Sequence, residues 1–211
     1  DADRILAPTP PIMAEMAARY GDEKVSIWSR GVDRETFHPG LRSHALRAQF
    51  GYSRDDVVPL FFGRLVLEKG LGVFAETIAT LRSGGYPVRP MVIGDGPARD
   101  WLARKLPNVT FLGFMEGREL GRAVASADLL INPSVTEAFG NVNLEAMASG
   151  LAVLSADVAS ASTLIDHGRT GMLIPADDPQ AYADAAAELI DQPVRLQALG
   201  RSASAVADRY C

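Results

Sequence analysis

From residue 57 onward the sequence alternates short apolar runs with stretches of helical spacing. Residues 57–63 (VVPLFFG) read as a buried strand closed by glycine, and residues 71–81 place apolar side chains at helical intervals. The alternation continues with a strand at 88–94, a helix at 99–106, a strand at 109–112 and a helix at 119–126. A strand at 129–132, a helix starting at 143–148, a strand at 151–155, a weak helical pattern at 160–166 and a strand at 172–174 follow. The Ala-rich residues 179–210 read as two helices divided near Pro193. Strands that alternate with helices build a parallel sheet covered on both faces. Such strands read as continuous apolar runs, as these do. The expected fold class is therefore α/β: a Rossmann-like, doubly wound parallel sheet of about six strands, with right-handed crossovers.

The first residues follow another pattern. Residues 4–7 (RILA) and 25–28 (VSIW) flank a helical stretch at 12–19, a single βαβ unit too small to stand alone. Residues 31–39 (GVDRETFHP) look like a connection between domains. The expected division is 1–36, a small unit with its connection, and 37–211, the main domain. Because the sequence opens on Asp1 and not on Met, it reads as a piece of a longer protein.

Composition narrows the function classes. The chain has 211 residues, 22% of them charged, and a net charge of −5, which argues against a general nucleic-acid binder. An anionic ligand would have to be held by local groups. Cys211 is the one cysteine, so neither an intrachain disulfide nor a cysteine zinc site can form. That fits a cytoplasmic setting. No apolar run is long enough for a bilayer span.

In a doubly wound sheet, ligands bind beyond the carboxyl ends of the strands, where strand order reverses. With the order 3-2-1-4-5-6 that crevice lies between the first and fourth strands. Gly63-Arg64-Leu65-Val66-Leu67-Glu68-Lys69-Gly70 follows the first strand. Pro133-Ser134-Val135-Thr136-Glu137-Ala138-Phe139-Gly140 follows the fourth and leads into the helix that carries Glu145. Arg64 and Lys69 are suited to neutralise a diphosphate, the first as a planar fork and the second as a compact charge. Peptide N–H groups after Gly140 stand at a helix start, a natural phosphate site. Glu137 and Glu145 repel phosphate but accept hydrogen bonds from sugar hydroxyls, which suits hexose and ribose. Bland readings exist for each: solvated loop charges for Arg64 and Lys69, and a dipole-favoured helix acid for Glu145. Gly94-Asp95-Gly96-Pro97 reads as a turn and not as a dinucleotide fingerprint, because Arg99 stands where the third glycine belongs. Phe111 reads as core. His38, His44 and His167 share no spacing, and Asp95, Asp128 and Asp166 form no recognisable metal set.

Taken together, these motifs resemble those of the retaining glycosyltransferases of family four. Residues 137–150 (EAFGNVNLEAMASG) look like that family's E-x7-E signature, and residues 63–70 (GRLVLEKG) resemble its phosphate-binding turn. Residues 94–97 (GDGP), 111–113 (FLG) and 127–128 (AD) stand in its usual order. The resemblance covers about residues 25–210. It implies the C-terminal, donor-binding half of a GT-B fold, with residues 1–36 as the remnant of the acceptor half and the domain connection. It also implies roles. Arg64 and Lys69 would bind the diphosphate, Glu137 would face the transferred sugar, and Glu145 would take the ribose hydroxyls. Gly63 lies in the phosphate turn, backbone N–H groups of Phe139, Gly140 and Asn141 would hold sugar or distal phosphate, and Gly113, Phe114 and Met115 would line the base pocket. The implied reaction moves a hexose from a nucleotide diphosphate sugar with retention and with neither metal nor cofactor.

The sequence Trp28-Ser29-Arg30-Gly31-Val32-Asp33 with Phe37-His38-Pro39 is similar to the domain connection of mannosyltransferases that use GDP-mannose, although related enzymes of sulfolipid synthesis look alike here. The implied partners are GDP-mannose or a UDP-sugar and a sugar, lipid or glycolipid acceptor bound by the missing half. A lipid acceptor would bring peripheral contact with the inner face of a membrane. Two departures stand out: Ala138, where relatives carry a hydroxyl residue, and Ser160-Ala161-Ser162 in place of a Gly-Gly-Pro-like turn. The expectation is a chain that binds donor and transfers little sugar alone. An epimerase or phosphorylase on the same fold, and a noncatalytic nucleotide-binding module, stay open as alternatives.

Overall fold

The computed structural model describes residues 3–28, 31–137 and 139–210, so Asp1, Ala2, Ser29, Arg30, Ala138 and Cys211 lie outside the described residues. A small unit comes first: β1 (Ile5–Ala7), α1 (Pro10–Tyr20) and β2 (Val25–Ile27), with the two strands paired in parallel. Pro10 and Pro11 start α1 without loss, because the first turn of a helix leaves its N–H groups unbonded.

The main sheet contains six parallel strands in the order β5-β4-β3-β6-β7-β8. They are β3 (Pro59–Phe62), β4 (Met91–Ile93), β5 (Thr110–Gly113), β6 (Leu129–Asn132), β7 (Ala152–Ala156) and β8 (Met172–Ile174). Counted within this sheet, the order is the 3-2-1-4-5-6 expected from the sequence. The helices α3 (Leu71–Ser83), α4 (Arg99–Lys105), α5 (Gly117–Ala125), α6 (Asn141–Ala148), α7 (Ala159–Ser162), α8 (Pro179–Asp191) and α9 (Pro193–Ala207) follow in turn. The 160–166 pattern shrinks to the four residues of α7. A short helix, α2 (His44–Gln49), was not legible in the apolar pattern; Ser43 caps it by accepting from the Leu46 N–H at 3.2 Å.

Strand period 2 sends neighbours to opposite faces. Phe61, Leu129, Ile131 and Leu154 join a core with α3, α4 and α8, whereas Leu60, Leu130 and Val153 join a second core with α5 and α6. Both faces are thus buried, which is why the strands read as unbroken apolar runs. Helices α3 and α4 pack on one face and α5 and α6 on the other. The change of face falls between β3 and β6, which pair through Pro59–Leu129 and Leu60–Leu130. In doubly wound sheets a reversal of this kind leaves a crevice above the carboxyl ends of the two strands.

The connection is fastened to the main domain. Val32 and Phe37 are buried in the α5–α6 core, and the Val32 N–H donates to the Tyr210 carbonyl at 2.7 Å. Arg34 donates to the Ala148 carbonyl at 2.6 Å and faces Asp208 at 3.1 Å. At the amino ends of the strands, Asp128 accepts from Arg42 at 2.5 Å, Arg47 at 2.9 Å and the Val58 N–H at 2.7 Å. Asp128 therefore works as a structural tie, at the end of the sheet opposite the crevice. His167 is structural as well, accepting from the Leu173 N–H at 3.1 Å.

Candidate functional site

Three loops meet above the carboxyl ends of the strands, and glycine lets them touch. Gly94 has φ +127°, and a Cβ there would stand 1.9 Å from the Gly63 carbonyl oxygen. Gly96 meets the Leu65 carbonyl oxygen in the same way, at 2.4 Å. Hydrogen bonds complete the platform: Gly63 N–H to Ile93 O at 2.9 Å, Leu65 N–H to Asp95 O at 2.9 Å, and Gly94 N–H to Gly113 O at 2.8 Å. The turn 94–97 is thus the bed on which the 63–70 loop lies, and it ties that loop to the one carrying Gly113. Above Gly63 a Cβ would meet nothing within 4 Å, so this backbone is open toward the crevice.

The loop after β3 also meets the loop after β6. A Cβ on Gly70 would fall 3.0 Å from the Pro133 backbone, and Gly70 has φ +77°. Across the same junction, Lys69 Nζ lies 2.6 Å from Glu137 Oε1, with side-chain exposures of 25% and 21%. One predicted cation and one predicted carboxylate are therefore in direct contact. Arg64 stands apart: its side chain is 70% exposed and faces Glu68 at 3.5 Å, a solvated i,i+4 pair.

Helix α6 starts at this junction. Gly140, at φ +86°, provides the left-handed turn that brings the chain into the helix, and the first N–H groups point out of its amino end. Asn141 is exposed there, whereas Phe139 is buried and packs against the Tyr210 ring at 6.1 Å. Glu145 sits in the middle of α6, partly buried, and its carboxylate makes no hydrogen bond to another side chain among the described residues. Burial without a partner charge pushes its pKa up from 4.5 to about 7. A carboxylate so placed is short of hydrogen-bond donors, and a ligand hydroxyl would supply them. Gly113 is half-buried with φ +71°, Phe114 is 76% exposed, and Met115 packs its side chain against the α5–α6 core.

The sequence reading missed the groups beneath the site. Asn143, 1% exposed, accepts from Asn132 Nδ2 at 2.8 Å and donates to Ser155 Oγ at 2.9 Å. Asn132 in turn accepts from the Ser134 N–H at 3.3 Å. This buried chain joins β6, the first turn of α6, β7 and the loop leading to Glu137. The available signal was chemical: two asparagines and a serine in segments that are otherwise apolar and buried. Among the described residues, no group of three or more His, Cys, Asp or Glu could hold a metal ion. No helix among them is long and apolar enough to cross a membrane. A concavity of about 700 Å³ lies at the amino ends of the strands near Arg42, Asp56 and Gly150, away from this site.

Comparison with known proteins agrees with the fold. A family model described as "Glycosyl transferases group 1" matches residues 56–192. A GDP-mannose-dependent alpha-mannosyltransferase of Corynebacterium glutamicum is 36% identical over 187 residues, covering 89% of this chain and 44% of that protein. The structure of Anabaena Alr3699/HepE in complex with UDP and glucose superposes with a TM-score of 0.85 at 23% identity, over 99% of this chain and 59% of that one. The C-terminal domain of a glycosyl transferase group 1 family protein (LpcC) from Francisella tularensis gives 0.71 at 23% identity, over 85% of this chain and 97% of that one. The chain spans about half the length of the curated relatives it matches.

Proposed function

This chain belongs to the group 1 glycosyl transferases, and from that premise we propose that its crevice binds the donor of a retaining hexosyl transfer, a nucleotide diphosphate sugar. The observation that carries the reading is the Lys69–Glu137 contact at the strand-order reversal, beside the amino end of α6. A cation and helix N–H groups suit a diphosphate, and an adjacent carboxylate suits sugar hydroxyls. Lys69 and Arg64 hold the diphosphate, Glu137 the hexose and Glu145 the ribose. Gly63 leaves its loop open to the phosphates, and Phe139, Gly140 and Asn141 offer main-chain donors. Gly113, Phe114 and Met115 border the base. As the sugar–phosphate bond breaks, charge grows on the leaving diphosphate, and fixed positive groups stabilise it.

GDP-mannose is the favoured donor, supported by the mannosyltransferase relatives. A UDP-sugar is the second reading, supported by the fold match to a protein crystallised with UDP and glucose. Residues 1–36 are the end of an acceptor-binding half and its connection, and the acceptor, a sugar, lipid or glycolipid, docks on that half. Without it the chain binds donor and turns over little.

Calorimetric titration of the chain with GDP, UDP and ADP, then with GDP-mannose and UDP-glucose, tests this without added metal. Selective binding of one diphosphate and its sugar is the expected result. No heat and no competition from any of them would remove the donor-site reading.

A further inference from the structure

The Lys69–Glu137 contact does more than assemble the site. We propose that it is a discriminator: Glu137 makes the site reject a free nucleoside diphosphate relative to the corresponding nucleotide sugar. This rests on the reading of the crevice as the donor site.

The two groups are 2.6 Å apart and about three-quarters shielded from water. Taking one partner from a shielded ion pair leaves the other uncompensated, and that is costly. A ligand that draws Lys69 to its phosphate must therefore give Glu137 something in return. A free diphosphate gives nothing: its terminal phosphate carries extra negative charge and no fixed donor, so the carboxylate faces another anion. A hexose on that phosphate removes one negative charge and offers hydroxyl donors to the carboxylate. The same side chain thus penalises the product of transfer and rewards the donor. Arg64 cannot discriminate in this way, because its charge and that of Glu68 are both largely in water.

The sign of the consequence is unusual for a residue placed in a binding site. Glu137→Gln keeps the shape and removes the charge, freeing Lys69 for phosphate. The variant should bind GDP about three- to ten-fold tighter than wild type, where tenfold corresponds to about 1.4 kcal/mol. It should bind GDP-mannose more weakly, so the preference between the two shifts by about tenfold or more. Glu137→Ala should move GDP affinity in the same direction, which guards against an artefact of the amide.

The test is calorimetry on wild type and both variants with GDP and GDP-mannose, and UDP with UDP-glucose in parallel. Circular dichroism melts confirm that each variant is folded. Tighter diphosphate and weaker nucleotide sugar establish the discriminator. Unchanged or weaker diphosphate binding in both variants, with wild type binding both ligands, overturns it and leaves the donor site standing. A wild type that binds none of the four ligands removes the donor site, and the discriminator with it.

Discussion

Replacing Glu145 by Gln separates the cost of burying this carboxylate from its use. Burial lifts its pKa from 4.5 to about 7. In the unfolded chain the group titrates at its ordinary value, so across this window the folded protein keeps a proton that the unfolded chain has released. The sign follows: this group's share of stability is fully present below about pH 4.5, declines as the pH rises, and is lost once the pH passes about 7. At roughly 1.4 kcal/mol per unit, the span corresponds to at most about 3.5 kcal/mol, and residual contact with water lowers it. The Gln side chain has nearly the same shape and does not titrate. The variant should therefore match the wild type near pH 4.5 and exceed its unfolding free energy at pH 8 by about 1–3 kcal/mol. Urea denaturation of both proteins at the two pH values measures the difference. On the proposed role of Glu145 at the ribose, nucleotide binding should move the opposite way, weakening by about 1 kcal/mol or somewhat more as a charged acceptor is lost. Wild-type affinity should also rise with pH through 7, since hydroxyl donors favour the carboxylate form. A Gln variant less stable than wild type at pH 8 would refute the reasoning, because it would mean that the charge is held by a favourable partner and not stranded by burial.

Two structural predictions concern the groups that hold the site. Asn143→Ala strands Asn132 Nδ2 in the core and takes the donor from Ser155 Oγ, which keeps only its long bond to the Ala156 carbonyl; at about 1–3 kcal/mol for a stranded group, unfolding free energy should fall by about 1–3 kcal/mol. Nucleotide affinity should fall with it, and a loss under 1 kcal/mol in denaturant titration would count against the chain of bonds as a support. Gly94→Ala places a methyl 1.9 Å from the Gly63 carbonyl oxygen at a φ unsuited to alanine. The 63–70 loop must shift, costing at least about 1–3 kcal/mol of strain, and diphosphate binding should drop with it, both read by thermal melts and calorimetry.

Much of the site could be placed from the sequence because its determinants are local. Arg64, Lys69, Glu137 and Gly140 follow the first and fourth apolar runs, Glu145 lies in the helix after the fourth, and a doubly wound sheet brings the ends of those two strands together by topology. Which cation would meet which carboxylate was not legible. Lys69 and Arg64 are equivalent as charges, and only the close approach of Gly70 to Pro133 sets Lys69 against Glu137 and leaves Arg64 in water. The glycines of the 94–97 turn read as a plain strand-to-helix turn, because a contact with Gly63 spans 31 residues of chain and leaves no periodic trace.

What the sequence by itself determined is the order of elements, the two-faced burial of the sheet and the position of the crevice, all consequences of period-2 and helical hydrophobic spacing. Tertiary structure decided the pairing of Lys69 with Glu137, the stranded burial of Glu145 and the Asn132–Asn143–Ser155 chain beneath them. Each of these depends on distances and on exclusion of water between segments far apart in the chain, and side-chain chemistry acquires its charge state and partners only there.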